Sequence, residues 1–404
     1  MLSFTEARQK VITIVRQRGV RAGHDLVAIG RGFGRILAEP IFADRDYPPF
    51  DRSTRDGFAV RAADIGPSGS TLKLVGEIKA GDSFTDTVAS GQTVQIMTGA
   101  ALPAGTDAVV MIEHARIEGN RVSLDGRIQP GQNVVARGSE GRMGQTLLEP
   151  GTRMGYAELA LAAQVGKIRF DVFQRPRVAI LSTGDEVVPM ESKPGPFQIR
   201  NSNVLSLAAQ AALAGAEPLP MGNAPDHPGP LRVMMEKGLD AEILVLSGGV
   251  SVGKYDLVES VLKELGAEFY FDGIAIRPGR PAVFSTCKNK FVFGLPGNPV
   301  STMVTFELLV VPAIDWLGGS EPRPLPLFKA RLAAAVRQKA ALTHFLPAEL
   351  DWRDGEPVVR ELPWQGSGDI VAVARAACFL VVHPQKLELQ AGEWVDVLPR
   401  RGLF

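Results

Sequence analysis

The stretch ILVLSGGVSVGKYD, residues 243–256, decides the fold. Its leading apolar residues are typical of a strand buried on both faces of a sheet, and the Gly-rich loop after them leads into an amphipathic helical pattern. The same succession of apolar strand and unusual loop occurs at STGDE, residues 182–186, and at GLPGNPVS, residues 294–301. Short apolar strands that alternate with helices predict a parallel α/β domain, with helical layers on both faces of the sheet, over residues 177–325.

All three loops follow the ends of strands. In a parallel sheet these ends lie at one edge, which is where open α/β sheets bind their ligands. Glycine lets the backbone approach a ligand closely, and the N-terminus of a following helix favours an anion. A single Gly-rich turn is often only a connector, whereas three such loops at one edge predict a site for a phosphate or another oxyanion.

Charged side chains accompany these loops. Arg277 and Arg280, in the segment RPGRP, could hold an oxyanion through charge-assisted hydrogen bonds, although either one alone would more often be a solvated surface charge. Mg²⁺ prefers one or two protein carboxylates together with phosphate and water. The chain offers these carboxylates near the loops as candidate ligands: Asp185, Glu186, Asp226 and Asp256.

The rest of the chain predicts three further regions. Residues 1–44 and 145–176 are interpreted as one small helical linker domain, interrupted by a β-rich inserted domain over residues 45–144. Residues 326–404 follow a proline-rich linker and predict a C-terminal β domain. The predicted fold class is therefore multidomain, an α/β domain combined with two β domains and a helical domain.

Local patterns place individual elements. Ser3 and Glu6 have the spacing of a capping box and begin an amphipathic helix over residues 3–18. A second, short helix is predicted over Gly34–Glu39, since Pro40 would end it. Apolar runs between turn residues predict strands at Thr71–Val75, Thr93–Met97, Ala108–Ile112, Phe345–Leu350, Cys378–Val382 and Trp394–Leu398.

Composition narrows the class of protein. The 44 basic and 44 acidic residues cancel, which argues against nucleic acid or an anionic membrane as a partner. Cys287 and Cys378 are too few and too far apart for a disulfide framework, so a reducing cytoplasm is expected. The N-terminal residues show no signal-peptide pattern. The most apolar segment, Phe306–Leu317, is shorter than a membrane span and is interpreted as a core helix.

Other classes of site are disfavoured. The histidines are scattered without zinc-site spacing, and no G-x-S-x-G hydrolase motif follows a strand. In the β-rich region Asp56 and Thr98 stand out among the turn residues, although hairpin chemistry explains the Asp-Gly pair there equally well. Composition alone leaves both interpretations of that region open.

Taken in order, the motifs of this chain resemble those of the molybdopterin molybdenumtransferase family, the enzymes of the last step of molybdenum cofactor synthesis, which include the C-terminal domain of gephyrin. The similarity spans essentially the whole chain. Its markers are PPFDRSTRDGFAV (48–60), MTGA (97–100), STGDE, QIRNSN (198–203), SGGVSVGKYD, RPGRP, GLPGNPVS, QGSGD (365–369) and AGEWVDV (391–397). Each motif alone is modest, but the ordered set is specific.

The resemblance implies an elongated homodimer of four-domain subunits, with the active site between the α/β domain of one subunit and the β-rich domain of the other. It implies a reaction in which adenylylated molybdopterin and molybdate give molybdenum cofactor and AMP, assisted by Mg²⁺. A separate molybdopterin adenylyltransferase would supply the substrate, and molybdoenzymes would accept the product.

The resemblance also implies roles for individual residues. Asp185, Glu186 and Asp256 would serve Mg²⁺ and the phosphates of the nucleotide-linked pterin. Asp56 and Thr98 would reach the site from the partner subunit. The pterin pocket would be shaped by Gly248, Gly249, Ser251, Pro296, Gly297 and Asn298, and molybdate would be held by Arg200, Arg277, Arg280 and Ser301.

The chain departs from the family pattern in places. Glu140 stands where the family often has a Gly-Glu-Asp stretch, so the role of that position stays open. RPGRP replaces the commoner KPGKP, which keeps the charge but favours planar, bidentate contacts. His344 and Phe345 stand where family members often have an arginine-bearing stretch, so no function is carried over to the last domain.

Two alternative functions stay open. A gephyrin-like scaffold would bind a peptide without catalysis, although the retained carboxylates and anion loops argue against it. The same transferase could also use tungstate, because the two oxyanions share charge and shape.

Overall fold

The structure is a computed structural model, and it describes residues 1–249, 257–338, 342–386 and 388–402. It confirms the predicted fold class. An α/β domain is combined with a β-rich domain inserted in the N-terminal part of the chain, a small linker region and a C-terminal β domain.

The α/β domain is built on a six-stranded sheet that is mixed rather than wholly parallel. The first four strands in spatial order are parallel to one another, and the other two extend one side of the sheet through antiparallel pairings. The prediction of a parallel sheet was therefore wrong for one edge. The spatial order is Glu217–Ala224, Arg177–Thr183, Ile243–Ser247, Lys290–Leu295, Val283–Cys287 and Glu268–Phe271.

The antiparallel edge arises from a two-residue turn. Lys288 and Asn289 both have positive φ, 49° and 62°, and they join Val283–Cys287 to Lys290–Leu295 as a tight hairpin. So short a connection can link only antiparallel strands. Lys-Asn is not one of the strong hairpin pairs, so the sequence pattern did not reveal the turn.

Helices cover both faces of the sheet. Ser202–Ala214 begins at Asn201, whose side chain accepts a hydrogen bond from the Val204 N–H. The apolar residues of Pro228–Gly238 and Leu257–Glu264 pack on the opposite face. The helix Pro228–Gly238 and the neighbouring edge strand were not among the predicted elements.

The long helix Pro299–Leu317 lies in the largest core cluster. A five-residue π-helical turn, Phe306–Val310, precedes Pro312, whose missing N–H and bulky ring are easier to place beside a widened turn. The helix is long and apolar enough to cross a membrane, but 89% of its most apolar window is buried inside the protein. Its burial is that of a core helix, as predicted.

The N-terminal helix Phe4–Arg18 begins with the predicted capping box. The Ser3 N–H donates to Glu6 Oε2 at 2.8 Å, and the Glu6 N–H donates to Ser3 Oγ at 3.2 Å. Its apolar face packs into the same core cluster as the long helix, through Phe4, Ala7, Val11 and Val15.

The segment predicted as a second helix, Gly34–Glu39, is not helical. Gly34 has φ 73°, and Ile36 and Leu37 make isolated β-bridges to distant parts of the chain. Tertiary pairing therefore overrides the local helical pattern there. The linker region is completed by the helix Tyr156–Gln164 and by two strand pairs, His24–Ala28 with Arg169–Phe173 and Ile41–Phe42 with Thr146–Leu148.

The β-rich domain contains a six-stranded sheet and confirms its three predicted strands. The domain has its own apolar clusters, which lie between the sheet and the surrounding loops. The spatial order is Ala108–Met111, Gly57–Val60, Gln92–Ile96, Ser70–Ile78, Arg121–Leu124 and Ala115–Glu118.

The C-terminal domain is a closed five-stranded barrel and also confirms its three predicted strands. Closure leaves no free edge between its first and last strands. A short strand of the α/β domain, Ile276–Arg277, adds to the outside of the barrel. The order around the barrel is Thr343–Arg353, Glu356–Glu361, Phe328–Leu332, Trp394–Pro399 and Cys378–Val382, which pairs again with the first strand.

Buried ion pairs on the long helix join several regions of the chain. The Asp315 carboxylate has no solvent exposure, and it accepts hydrogen bonds from Arg323 Nη2 at 2.6 Å and from Arg153 Nη2 at 3.4 Å. Glu307 of the same helix pairs with Arg401 Nη2 at 2.6 Å. These arginines come from the proline-rich linker, the helical linker region and the C-terminal end of the chain, so the helix holds three regions together.

Replacement of Asp315 by asparagine should destabilise the protein. It leaves the guanidinium groups of Arg153 and Arg323 without their buried counter-charge, a loss of about 3 kcal/mol. Urea denaturation followed by circular dichroism measures it. Asp351→Asn is the control, because its pair with Arg353 is exposed and contributes less than about 1 kcal/mol. Equal losses in the two variants would contradict the prediction.

Candidate active site

A cavity of about 820 Å³ lies at the carboxyl edge of the parallel strands. Its walls come from the three Gly-rich loops that follow Thr183, Ser247 and Leu295, the last residues of neighbouring strands. The strand order thus brings the loops together as predicted. The volume lies within the range of cofactor and small-molecule sites.

Two adjacent positions in the second loop require glycine. Gly248 and Gly249 have φ of 99° and 67°, a conformation that side chains disfavour. A Cβ atom on Gly248 would lie 2.8 Å from the Thr183 carbonyl oxygen, and one on Gly249 would lie 2.8 Å from Thr183 Oγ1. The second loop therefore packs directly against both the backbone and the side chain of Thr183, with no room for a larger residue at either position.

Carboxylates lie in and beside the wall of the cavity. Glu186 and Asp226 line it, and Asp185 accepts a hydrogen bond from the Asp226 N–H at 3.0 Å. Within the described residues, no lysine or arginine forms an ion pair with these three carboxylates. The same part of the chain contains no cluster of three or more His, Cys, Asp and Glu side chains arranged around a metal position. The fourth predicted carboxylate, Asp256, lies outside the described residues.

The residues expected to shape the pterin pocket lie in the cavity wall where the structure describes them. Ser251 falls outside the described residues. The side chain of Asn298 also reaches beyond the α/β domain, since its Nδ2 donates to Ser367 Oγ at 2.8 Å. The wall includes Gly248, Gly249, Pro296, Gly297 and Asn298.

Of the residues expected to hold molybdate, one lines the cavity and the others do not. Arg200 lines the cavity, and its Nε donates to the Ser192 carbonyl at 3.1 Å. Arg277 and Arg280 are exposed and do not line the cavity, although Pro281 beside them does. Ser301 is buried in the first turn of the long helix and is likewise absent from the lining.

The C-terminal domain contributes part of the cavity wall. Gly368 and Ile370, in and after the QGSGD segment, line the cavity, and the Ser367 carbonyl accepts from the Val300 N–H at 3.0 Å. Hydrogen bonds from the Ala372 and Gln365 N–H groups lower the pKa of Asp369. The sequence analysis carried no function over to this domain, because His344 and Phe345 replace an arginine-bearing stretch of the family, and no local pattern shows that residues 298–300 meet the QGSGD segment.

Polar residues at the strand ends were also missed. Ser182 Oγ donates to Asn201 Oδ1 at 3.0 Å, and Asn203 reaches across to Ser247 and Gly297. For Asn201 a usable signal existed, since an asparagine directly before a helix commonly caps it; Asn203 lies inside the helix and carried no such signal.

Asp56 and Thr98 lie in the β-rich domain and do not line this cavity. Asp56 Oδ1 accepts hydrogen bonds from the Thr98 N–H at 2.6 Å and from Thr98 Oγ1 at 2.8 Å. The backbone bond first, and the hydroxyl bond second, lower the pKa of Asp56. The two residues therefore form one exposed polar unit that stays anionic at neutral pH. Glu140, in the same domain, pairs with Arg52 at 2.7 Å.

Family models match the chain in three consecutive parts. The MoeA N-terminal region (domains I and II) matches residues 2–166, and the probable molybdopterin binding domain matches residues 179–316. The MoeA C-terminal region (domain IV) matches residues 329–399. The second match contains the three Gly-rich loops.

Relatives and solved structures agree with these matches. The molybdopterin molybdenumtransferase of a Nostoc species is 38% identical over 81% of this chain and 77% of its own length. That of Haemophilus influenzae is 32% identical over the full length of both chains. The crystal structure of a molybdopterin biosynthesis MoeA protein from Pyrococcus horikoshii is 34% identical, covers 97% of this chain and 98% of its own, and has a TM-score of 0.73.

The cavity thus lies in the part of the chain that the molybdopterin-binding model matches, within a fold shared over nearly the whole length. This defines a transferase of molybdenum cofactor biosynthesis. More particularly, the chain belongs to the molybdopterin molybdenumtransferase family.

Removal of the Thr98 hydroxyl should raise the pKa of Asp56. Thr98→Val keeps the backbone bond but deletes the second donor, so the pKa moves part of the way to the ordinary aspartate range. Carbon-13 NMR titration of the Asp56 carboxyl measures the change. The pKa of Asp56 is lower in the folded protein than in the unfolded chain, so its hydrogen bonds with Thr98 stabilise the folded protein at pH values above the ordinary aspartate pKa. This stabilisation is lost as the pH falls through the pKa of Asp56 in the folded protein.

Thr106→Val is the matched control, because the Thr106 hydroxyl donates instead to the Pro103 carbonyl. It should leave the Asp56 titration unchanged. An Asp56 pKa unaltered by Thr98→Val would refute the assigned cause.

Proposed function

We propose that this enzyme inserts molybdate into adenylylated molybdopterin, releasing AMP and forming molybdenum cofactor. The observation that carries the proposal is the convergence of three Gly-rich loops on one cavity at the carboxyl edge of the sheet. Both substrates are oxyanionic, and backbone N–H groups at such loops suit oxyanions. A cavity of about 820 Å³ also suits a ligand as large as a nucleotide-linked pterin.

Mg²⁺ fits the carboxylates in and beside the wall of this cavity. They carry negative charge that no ion pair within the described residues neutralises, and they are too few for an all-protein metal cage. A cation that takes one or two carboxylates and completes its shell with phosphate and water matches such a set. When bound, it would polarise the phosphoanhydride as a Lewis acid. The residues that would hold it are Asp185, Glu186, Asp226 and Asp256.

Arg200 is the first candidate to bind molybdate. It lines the cavity, and within the described residues only its Nε is hydrogen-bonded, so its terminal N–H groups are available to an oxyanion. Arg277 and Arg280 are exposed, without a carboxylate partner in the described part of the chain, and they are free to turn towards a bound oxyanion. Ser301 would act from the start of the long helix.

We further propose a homodimer in which Asp56 and Thr98 complete the site of the partner subunit. These residues form an exposed anionic unit outside the cavity of their own chain, which is the arrangement expected of a group that acts in trans. A partner's β-rich domain would then close the open side of the cavity.

The proposed reaction takes place in the cytoplasm, between a separate molybdopterin adenylyltransferase and molybdoenzymes that accept the cofactor. Tungstate in place of molybdate is the second candidate substrate, since the two oxyanions share charge and shape. A scaffold without catalysis is disfavoured, because the similar proteins are named as transferases.

Asp185→Asn tests the carboxylate site. Asparagine can still accept from the Asp226 N–H, so the loop keeps its contact while the charge is lost. With adenylylated molybdopterin, molybdate and Mg²⁺, AMP release should fall by about a hundredfold or more. Asp351→Asn, on the exposed end of a barrel strand, should release AMP at the unaltered rate. No AMP release by the unaltered enzyme would overturn the proposed reaction.

Mixing two inactive variants tests the dimer. If Asp56 acts in trans, unfolding and refolding Asp56→Asn together with Asp185→Asn gives heterodimers that contain one intact site and one doubly altered site. Activity should then return. The same variants refolded separately are the control, and a mixture as inactive as its components would exclude a site shared between subunits.

A further inference from the structure

The side chain of Asn203 links two of the loops that form the cavity. Its Nδ2 donates to Ser247 Oγ at 2.8 Å, at the end of one strand, and to the Gly297 carbonyl at 2.7 Å, in the loop after the neighbouring strand. A carbonyl oxygen can only accept, so the amide orientation is fixed with nitrogen towards Gly297. Both amide hydrogens are therefore used.

The bond to Gly297 sets the direction of a peptide group in the cavity wall. In a trans peptide the C=O and the following N–H point in opposite directions. Because Asn203 holds the Gly297 carbonyl, the N–H of Asn298 points away from Asn203. Gly297 and Asn298 both line the cavity.

The N–H of Asn298 has no acceptor among the residues that the structure describes. Two other polar groups of this residue are engaged, since its Nδ2 donates to Ser367 and its carbonyl accepts from the Thr302 N–H at 3.0 Å. An unpaired backbone donor at a ligand cavity is the kind of group that binds an oxyanion.

We propose that Asn203 is a positioning residue that holds the Gly297–Asn298 peptide with its N–H free for an oxyanion of the substrate. Asn203 acts through this peptide. The inference deepens the function proposed above and rests on it for the identity of the oxyanion.

Only a side chain that donates can play this part. An ionised carboxylate at position 203 would face the Gly297 carbonyl with two acceptors and repel it, so the peptide would no longer be held in its present orientation. A protonated carboxyl, by contrast, donates one hydrogen bond and would hold the carbonyl again. The proposal therefore predicts that oxyanion binding by Asn203→Asp depends on the protonation of the introduced carboxyl. Binding by Asn203→Ala, which lacks this group, should not show that dependence.

The test compares Asn203→Asp, Asn203→Ala and the unaltered protein by isothermal titration calorimetry. The probes are inorganic sulfate, whose charge is constant over the pH range used, and AMP, which is titrated only at neutral pH because its phosphate gains a proton at about pH 6. At neutral pH both variants should bind the probes about ten- to a hundredfold more weakly, the equivalent of one charge-assisted hydrogen bond. As pH falls through the pKa of the introduced carboxyl, ordinarily about 3.9 and higher when buried, Asn203→Asp alone should regain affinity.

Asn133→Asp is the matched control. Asn133 also donates from Nδ2 to a backbone carbonyl, that of Val109 at 2.8 Å, but in the β-rich domain. It should lose stability without losing affinity for either probe.

The outcomes separate this inference from the proposed reaction. Equal affinity in Asn203→Asp and the unaltered protein, no recovery at low pH, or no binding of either probe by the unaltered protein would each overturn the positioning role. Normal probe binding by an enzyme that releases no AMP from adenylylated molybdopterin would overturn the proposed reaction and leave the positioning role standing.

Discussion

The architecture depends on keeping the carboxylate of Asp315 paired while it is excluded from water. Such a group is tolerated only where cations and N–H donors surround it. Arg323 contributes both its side chain and its backbone N–H, at 3.1 Å, and Arg153 contributes from the helical linker region. The helix that ends near Asp315 begins at Pro299, beside the cavity. The ion pairs at Asp315 hold the C-terminal end of this helix in place. They therefore also fix the position of the Gly-rich loop that precedes its N-terminal end.

The strands and the Gly-rich loops could be predicted because their signals are local. A run of apolar residues such as Ile243–Leu246 indicates a buried strand, and the glycines after it indicate where that strand ends. The helix predicted over Gly34–Glu39 is absent because Arg153 and Val172, distant in sequence, pair with Ile36 and Leu37. The antiparallel edge was missed because a Lys288-Asn289 turn has no strong signature.

Some residues of the site could likewise be predicted from the sequence and others could not. Loops at the carboxyl edge converge by topology alone, so their glycines and Glu186 could be located from strand order. The positions of Arg277 and Arg280 depend on the pairing of a short strand with the C-terminal barrel. No local sequence pattern predicts this pairing. Asn203 could be recognised only once its two acceptors, far apart in sequence, were seen beside it.

The contact between Asn298 and Ser367 limits how the C-terminal domain can be exchanged between relatives. The QGSGD segment is a wall of the cavity as well as a part of the last domain, so that domain is not an interchangeable module. A chimera that took residues 326–404 from a relative would inherit its substrate cavity from two parents. Exchange at this boundary would succeed only if Ser367 and its neighbours were exchanged together with the loop they touch.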